Sequence, residues 1–305
     1  MRDAFVKALL SHAQRDKRVM LITGDLGFGV LTDYASELPS QYINAGVAEQ
    51  NMTGLAAGLA LEGRNVFTYS IANFPTLRCL EQIRNDVLYH EATVNIVAIG
   101  GGFSYGSLGM SHHATEDVGI MRTLPGLRVL APCDEIETIA LVDQLISDPA
   151  PTYLRLDKSK AIAPAAESFV PGKLRQLHSG ERVALIGYGG IVSEALIAAK
   201  LLSGAGIDCG VFSAHTLKPF DRESLINLAT DYDAVVTIEE HVPTGGLGSL
   251  AADTFLDFGV MPRHFVRLCL PDAYSSIVGD QEYLRARHNL DANSIATRVR
   301  ELLKG

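Results

Sequence analysis

The sequence has no excess of basic charge: 26 lysines and arginines stand against 35 acidic residues, a formal net charge of −9 over 305 residues. Without a basic stripe there is no electrostatic footprint for a nucleic-acid backbone, and that class of partner is excluded. Small anionic substrates stay open, because a local pocket of arginine or histidine can form on an acidic protein. Cysteine is scarce as well. Its four copies, Cys79, Cys133, Cys209 and Cys269, form no C-x-x-C pair and lie beside no histidine cluster at metal-ligand spacing. They read as buried free thiols of a reducing compartment, and no metal site is expected on this chain. Long apolar runs are missing too. No uninterrupted stretch reaches the ~18 residues of a membrane span, and the opening Met1-Arg2-Asp3-Ala4-Phe5-Val6-Lys7 starts an amphipathic helix rather than a signal-peptide core. The expectation is a soluble, cytoplasmic protein with no nucleic-acid or membrane partner.

What is present is apolar substance for two domains: 47% of the residues are hydrophobic. Short β-branched runs at Val19–Thr23, Asn65–Ser70, Val94–Ile99, Arg128–Ala131 and Thr152–Leu156 alternate with helical patterns at 51–61, 77–90, 115–124 and 135–146. Apolar strands separated by helices predict a mostly parallel sheet with helices on both faces. The stretch Asp157–Glu181, with its prolines, lysines and alanines, breaks the rhythm. Strand patterns then resume at Arg182–Ile186, Asp208–Ser213, Ala234–Ile238 and Phe265–Leu270, with a last helix near 294–303. The reading is two consecutive α/β domains of that kind, over residues 1–160 and 181–305, joined by a linker at 161–180.

Three glycine-rich turns invite an anion-binding reading. Gly24-Asp25-Leu26-Gly27-Phe28-Gly29 misses the G-x-G-x-x-G pattern, and Leu26 occupies the third position of what would otherwise start a G-D-G metal motif, so a plain strand-to-loop turn is the better reading. Gly187-Tyr188-Gly189-Gly190 and Thr244-Gly245-Gly246-Leu247-Gly248-Ser249 each end a strand and begin a helix. Either cradles an anion on its backbone N–H groups or simply lets strand and helix pack closely.

Chemistry concentrates in three further stretches. In Asn44-Ala45-Gly46-Val47-Ala48-Glu49-Gln50-Asn51-Met52-Thr53-Gly54, one carboxylate opens a helix of small residues. Set in an apolar wall, Glu49 is costly to ionise and suited to share a proton with a ligand nitrogen. Spacing alone favours the plainer reading, an acidic group at a helix N-terminus. The long segment Gly100–His113 is rich in glycine, which lets backbone approach a ligand, and ends in adjacent His112 and His113. Neighbouring loop positions diverge and zinc partners are missing, so neutral histidines bonding a sugar hydroxyl or phosphate fit better than a metal. The structural alternative is a histidine capping the following helix. In Tyr69–Arg78, Arg78 offers a planar fork for a substrate phosphate, or else is a solvated helix arginine.

Together these stretches resemble the transketolase family of thiamine diphosphate-dependent enzymes. Gly46, Glu49 and Met52 match the G-x-x-E-x-x-M signature of its pyrimidine-binding domain, where the glutamate bonds the aminopyrimidine. Ser111-His112-His113 resembles the T-H-Q or T-H-H step, with His112 in the place of the active-site histidine, and Leu124-Pro125-Gly126-Leu127-Arg128-Val129 follows as it does in the family. With a one-residue gap, Phe74 takes the place of the ring that stacks on the aminopyrimidine. Arg78 matches an arginine of the deoxyxylulose-phosphate synthase branch, and Asp25 falls in a first loop that lies near the cofactor. One departure matters: Leu108 stands where many members carry an aspartate that touches a donor hydroxyl, so their ketose preference does not transfer.

The likeness covers a pyrimidine-binding fold followed by a transketolase C-terminal-like domain, without the G-D-G diphosphate-binding domain of a one-chain transketolase. It implies the C-terminal subunit of a split transketolase, moving a two-carbon ketol unit from a ketose, expected to be phosphorylated, to an aldose. A separate N-terminal, diphosphate-binding subunit would complete the site and hold Mg2+, in a heterotetramer with two copies of each subunit. The implied catalytic residues are Glu49, His112 and His113. Glu49, Phe74 and Asp25 would meet thiamine diphosphate, and Arg78 and His112 the sugar or sugar phosphate. A 2-oxo-acid dehydrogenase or decarboxylase β subunit is the second reading, and a deoxyxylulose-phosphate-synthase-like enzyme the third. From another class, the chain would be a non-catalytic assembly or small-molecule-binding subunit.

Overall fold

The strongest apolar runs become central strands, and the helices between them close both faces of two sheets. The computed structural model describes residues 1–161 and 169–304. Among these residues the strands are β1 (Val19–Thr23), β2 (Tyr42–Asn44), β3 (Asn65–Ile71), β4 (Val94–Ile99), β5 (Arg128–Leu130), β6 (Thr152–Leu156), β7 (Arg175–His178), β8 (Val183–Gly187), β9 (Cys209–Ser213), β10 (Thr216–Lys218), β11 (Ala234–Ile238) and β12 (His264–Leu268). The first sheet has the order β10-β5-β6-β4-β3-β1-β2 and the second β12-β11-β8-β9-β7. All pairings are parallel except β10 with β5 and β7 with β9.

Alternation along each strand divides the core into layers. Met20 and Ile22 of β1 pack with Met52, Ala56, Ala57 and Ala60 of the helix Glu49–Leu61. Val19 and Leu21 point to the opposite face, against Phe5, Val6 and Leu9 of the helix Arg2–Ala13. The small residues of Glu49–Leu61 let that helix lie close on the sheet, which is how its first residue comes to be buried.

Three strands lie outside the expected pattern: β2, β7 and β10. All are sheet edges of three or four residues, too short and too mixed in polarity to show as apolar runs. The expected linker 161–180 falls partly on 162–168, outside the described residues, and its later part carries β7. β10, from the second half of the chain, adds an antiparallel edge to the first sheet, so the two halves share structure beyond a linker. The helix expected over 77–90 is instead a 3₁₀ turn (Leu77–Cys79), one α turn (Leu80–Gln82) and a π-helical stretch (Ile83–Leu88). The four cysteines are free. Among the described residues no helix is long and apolar enough to cross a membrane.

Candidate active site

Strands β2, β1, β3 and β4 are parallel neighbours, so the loops after them emerge at one edge of the sheet. Ligands of open α/β sheets bind at that carboxyl edge. Every candidate residue lies there: Asp25 after β1, Glu49 after β2, Phe74 and Arg78 after β3, His112 and His113 after β4.

Beyond β2 the chain turns at Gly46, where φ of +73° suits glycine, and Glu49 becomes the first residue of its helix. Its side chain is only 3% exposed, and Oε2 accepts a 2.7 Å hydrogen bond from Nη1 of Arg78, which is 47% exposed. The Arg78 guanidinium carbon also lies over the Phe74 ring, 4.8 Å from its centroid. Arg78, expected at a substrate phosphate, is therefore shared here between Glu49 and Phe74. Phe74 in turn meets the His112 ring edge-on at 5.3 Å.

The two histidines part company. His112 is half-buried between Phe74 and Tyr105, with Nδ1 3.0 Å from the Ser111 hydroxyl. Burial, aided by neighbouring His113, lowers its pKa below the ordinary 6.5. His113 is buried, donates from Nε2 to the Gly106 carbonyl at 3.1 Å, and sets its ring edge-on to Phe103. It fastens its own loop.

Three residues to which the sequence assigned no role join the site. Asn73 donates to the carbonyls of His113 (2.6 Å) and Ser111 (3.3 Å), tying the loop after β3 to the loop after β4. Asn44 accepts from the backbone N–H of Asp25 and of Gly46 and donates to the Asp25 carboxylate at 2.9 Å. It thereby holds Asp25, exposed at the outer end of the site, in a left-handed conformation that aspartate tolerates. Lys158, within the stretch read as breaking the strand rhythm, sets its ammonium 3.7 Å from the centroid of Tyr105.

The glycines have a different use from the one expected. A Cβ on Gly101 would strike Arg155 and Asp157, and one on Gly102 would strike Glu240. The loop is thin to admit the protein's own buried charges rather than a ligand. Arg155 lies between Asp117 and Asp157, with Nε 3.1 Å from Asp117 and Nη1 3.6 Å from Asp157. Burial pushes Asp157 up to about 6. The two later glycine turns do cradle anions, and both anions are internal. Gly190 N–H donates to Asp157 at 2.7 Å, and Leu247 and Gly248 N–H donate to Glu239 at 2.7 and 2.8 Å. Away from this site, Cys133, Asp134 and Glu137 cluster as metal ligands do, but the Arg175 guanidinium already bonds both carboxylates, at 2.8 and 3.1 Å.

Two family models match this chain: "Transketolase, pyrimidine binding domain" over residues 1–162 and "Transketolase, C-terminal domain" over 172–295. One of the two subunits of the apulose-4-phosphate transketolase of Phocaeicola vulgatus is 34% identical over 308 residues, covering 99% of this chain and 97% of that one. The 6-deoxy-6-sulfo-D-fructose transketolase subunit SqwH of a Clostridium species is 35% identical over 305 residues, covering 99% and 94%. Among solved structures, a split-gene transketolase in the form of an inactive beta4 tetramer matches with a TM-score of 0.86 at 34% identity, over 99% of this chain and 97% of that one. The chain belongs to the transketolase family, as the part of a split transketolase that carries the pyrimidine-binding and C-terminal domains.

Proposed function

We propose that this chain supplies one half of an active site completed by a separate diphosphate-binding subunit, and that the pair moves a two-carbon ketol unit between sugars. The observation that carries this reading is Glu49, a buried carboxylate at the sheet's carboxyl edge with an aromatic ring beside it. Those residues fit the aminopyrimidine of thiamine diphosphate by their own chemistry: an acceptor for a ring nitrogen's proton and a flat apolar face. When bound, the cofactor's thiazolium supplies the carbon that takes up and hands on the two-carbon unit.

Each side chain then has a task. Glu49 holds the proton at the ring nitrogen, and Phe74 fixes the ring's plane. Asp25 borders the cofactor's outer side. His112, kept neutral by burial, bonds a sugar hydroxyl and moves its proton. His113 supports catalysis by fastening the loop that presents His112. Lys158 and Arg78 are the cations at the mouth for an anionic substrate. One relative is named for a phosphorylated ketose and another for a sulfonated one, so we assign an anionic ketose as donor and an aldose as acceptor. The diphosphate and Mg2+ belong to the partner, in a heterotetramer with two copies of each subunit. Free thiols suit a reducing cytoplasm.

Calorimetric titration of thiamine diphosphate with Mg2+ tests the split. Binding is expected when this chain is mixed with the diphosphate-binding subunit and not with this chain alone. Tight binding to the single chain ends the half-site reading, and no binding in either case ends the enzymatic one. In the mixture, Glu49→Gln should lower turnover at least about 10²-fold with the fold unchanged. Full turnover in that variant sinks the role given to Glu49.

A further inference from the structure

We infer that Arg78 is an internal competitor for the cofactor: its guanidinium holds the place of the aminopyrimidine, and must leave before that ring can seat. The inference rests on the reading of Glu49 and Phe74 as the aminopyrimidine's contacts. Both contacts are taken in this structure by one side chain. Nη1 of Arg78 donates to Glu49 Oε2 at 2.7 Å, and its guanidinium carbon lies 4.8 Å from the Phe74 centroid.

The substitution is chemically close. A guanidinium is a flat, nitrogen-rich plate with N–H donors along its edge, and it stacks on aromatic faces. An aminopyrimidine is also a flat plate with nitrogen along its edge. Glu49 and Phe74 cannot serve both plates in the same geometry. A permanently charged guanidinium on Oε2 also stands where the ring nitrogen's proton would be, so proton sharing begins only after Arg78 moves.

The pair is also asymmetric in the way a displaceable plug needs. Glu49 is 3% exposed and fixed at the start of a helix, whereas Arg78 is 47% exposed on a short 3₁₀ turn. The arginine can swing into water, and the carboxylate cannot. Arg78 thus covers the buried carboxylate while no ring lies on it, and its displacement places a cation at the mouth, where an anionic sugar would arrive. Apparent cofactor affinity is then the intrinsic affinity reduced by the fraction of molecules with Arg78 withdrawn.

The test is titration of thiamine diphosphate with Mg2+ into this chain mixed with the diphosphate-binding subunit, for the wild type, Arg78→Gln, Arg78→Lys and Glu49→Gln. Removing the competitor should tighten binding by about three- to tenfold, the scale of a half-exposed ion pair. Arg78→Lys, which keeps the charge but loses the flat plate, should fall between Gln and wild type. Should the Gln variant fail to assemble, the Lys variant decides on the same criterion, because any tightening must come from the lost plate. Wild-type or weaker affinity in the Arg78 variants, with Glu49→Gln weakened, overturns the competitor and leaves the Glu49 reading intact. Affinity in Glu49→Gln equal to wild type overturns the Glu49 reading itself.

Discussion

His112 owes its neutrality to its setting: burial between Phe74 and Tyr105, with a second imidazole next door, makes the imidazolium unfavourable and moves the pKa below 6.5. If this ring takes and gives the substrate proton, kcat/KM should lose its acid limb with a midpoint below 6.5. His112→Gln should abolish that limb and cost about 10²-fold or more in kcat with thermal stability preserved. His113→Gln should instead break the bond to Gly106, cost about 1–2 kcal/mol of stability and leave the limb where it is. An acid limb that moves in the His113 variant and persists in the His112 variant reverses the two roles. The sequence could not separate these neighbours, because what distinguishes them is burial against Phe103, a residue brought there by the loop's path. Glu49 was legible, since a lone carboxylate at the head of a small-residue helix is rare enough to notice. Asn44, Asn73 and Lys158 were not, because each acts through contacts made only once the loops are side by side.

Elements were legible in proportion to how deeply they lie in a sheet. β1, β4, β6 and β11 are apolar runs buried along their whole length, whereas β2, β7 and β10 are edges whose pairing partners are distant in sequence. The crossing from β9 to β10 shows what an edge can conceal. His215, the second residue after β9, is fully buried with its ring 4.6 Å from Phe169, and neither ring nitrogen has a hydrogen bond of good geometry among the described residues. Burial first, and the Arg175 charge second, push its pKa down to about 4. Between 6.5 and about 4 the unfolded chain therefore binds more protons here than the folded one, so this group's contribution is complete above 6.5 and shrinks as pH falls. From pH 7 to pH 5 the loss amounts to about 2 kcal/mol. Asp157, pushed up to about 6, runs the other way, since its folded form takes up a proton more readily over the same range. Denaturant midpoints of His215→Phe should fall less between pH 7 and 5 than those of the wild type, or even rise. An unchanged pH slope removes His215 from the account.

The whole molecule joins its two sheets through charge as well as apolar packing. Glu240 accepts from Gln281 and from Arg285, whose Nε lies 2.6 Å from it, and Gly102 is pressed against the same carboxylate. The second half of the chain thereby fixes the loop bearing His112, which is a structural reason for it to accompany the pyrimidine-binding half. Around the mouth the surface changes character. Phe28 is 84% and Val47 75% exposed, with Leu108 and Met110 exposed on the facing loop, and an open groove lined by Leu26, Leu31 and Tyr42 runs up to Phe28. Large apolar side chains set around a site of charged and polar groups mark a surface made to be covered, and the occupant assigned here is the diphosphate-binding subunit. A charge at the centre of that rim should block association, because it would be buried without a partner. Phe28→Asp, exposed and outside the packed core, should leave this chain's melting temperature unchanged. Its assembly with the diphosphate-binding subunit should weaken about tenfold or more, read from light scattering over a dilution series. Cofactor binding in the mixture should fall in parallel, since each subunit holds only part of the site. Undiminished assembly in both Phe28→Asp and Val47→Asp would move the subunit contact to another face and take the half-site geometry with it.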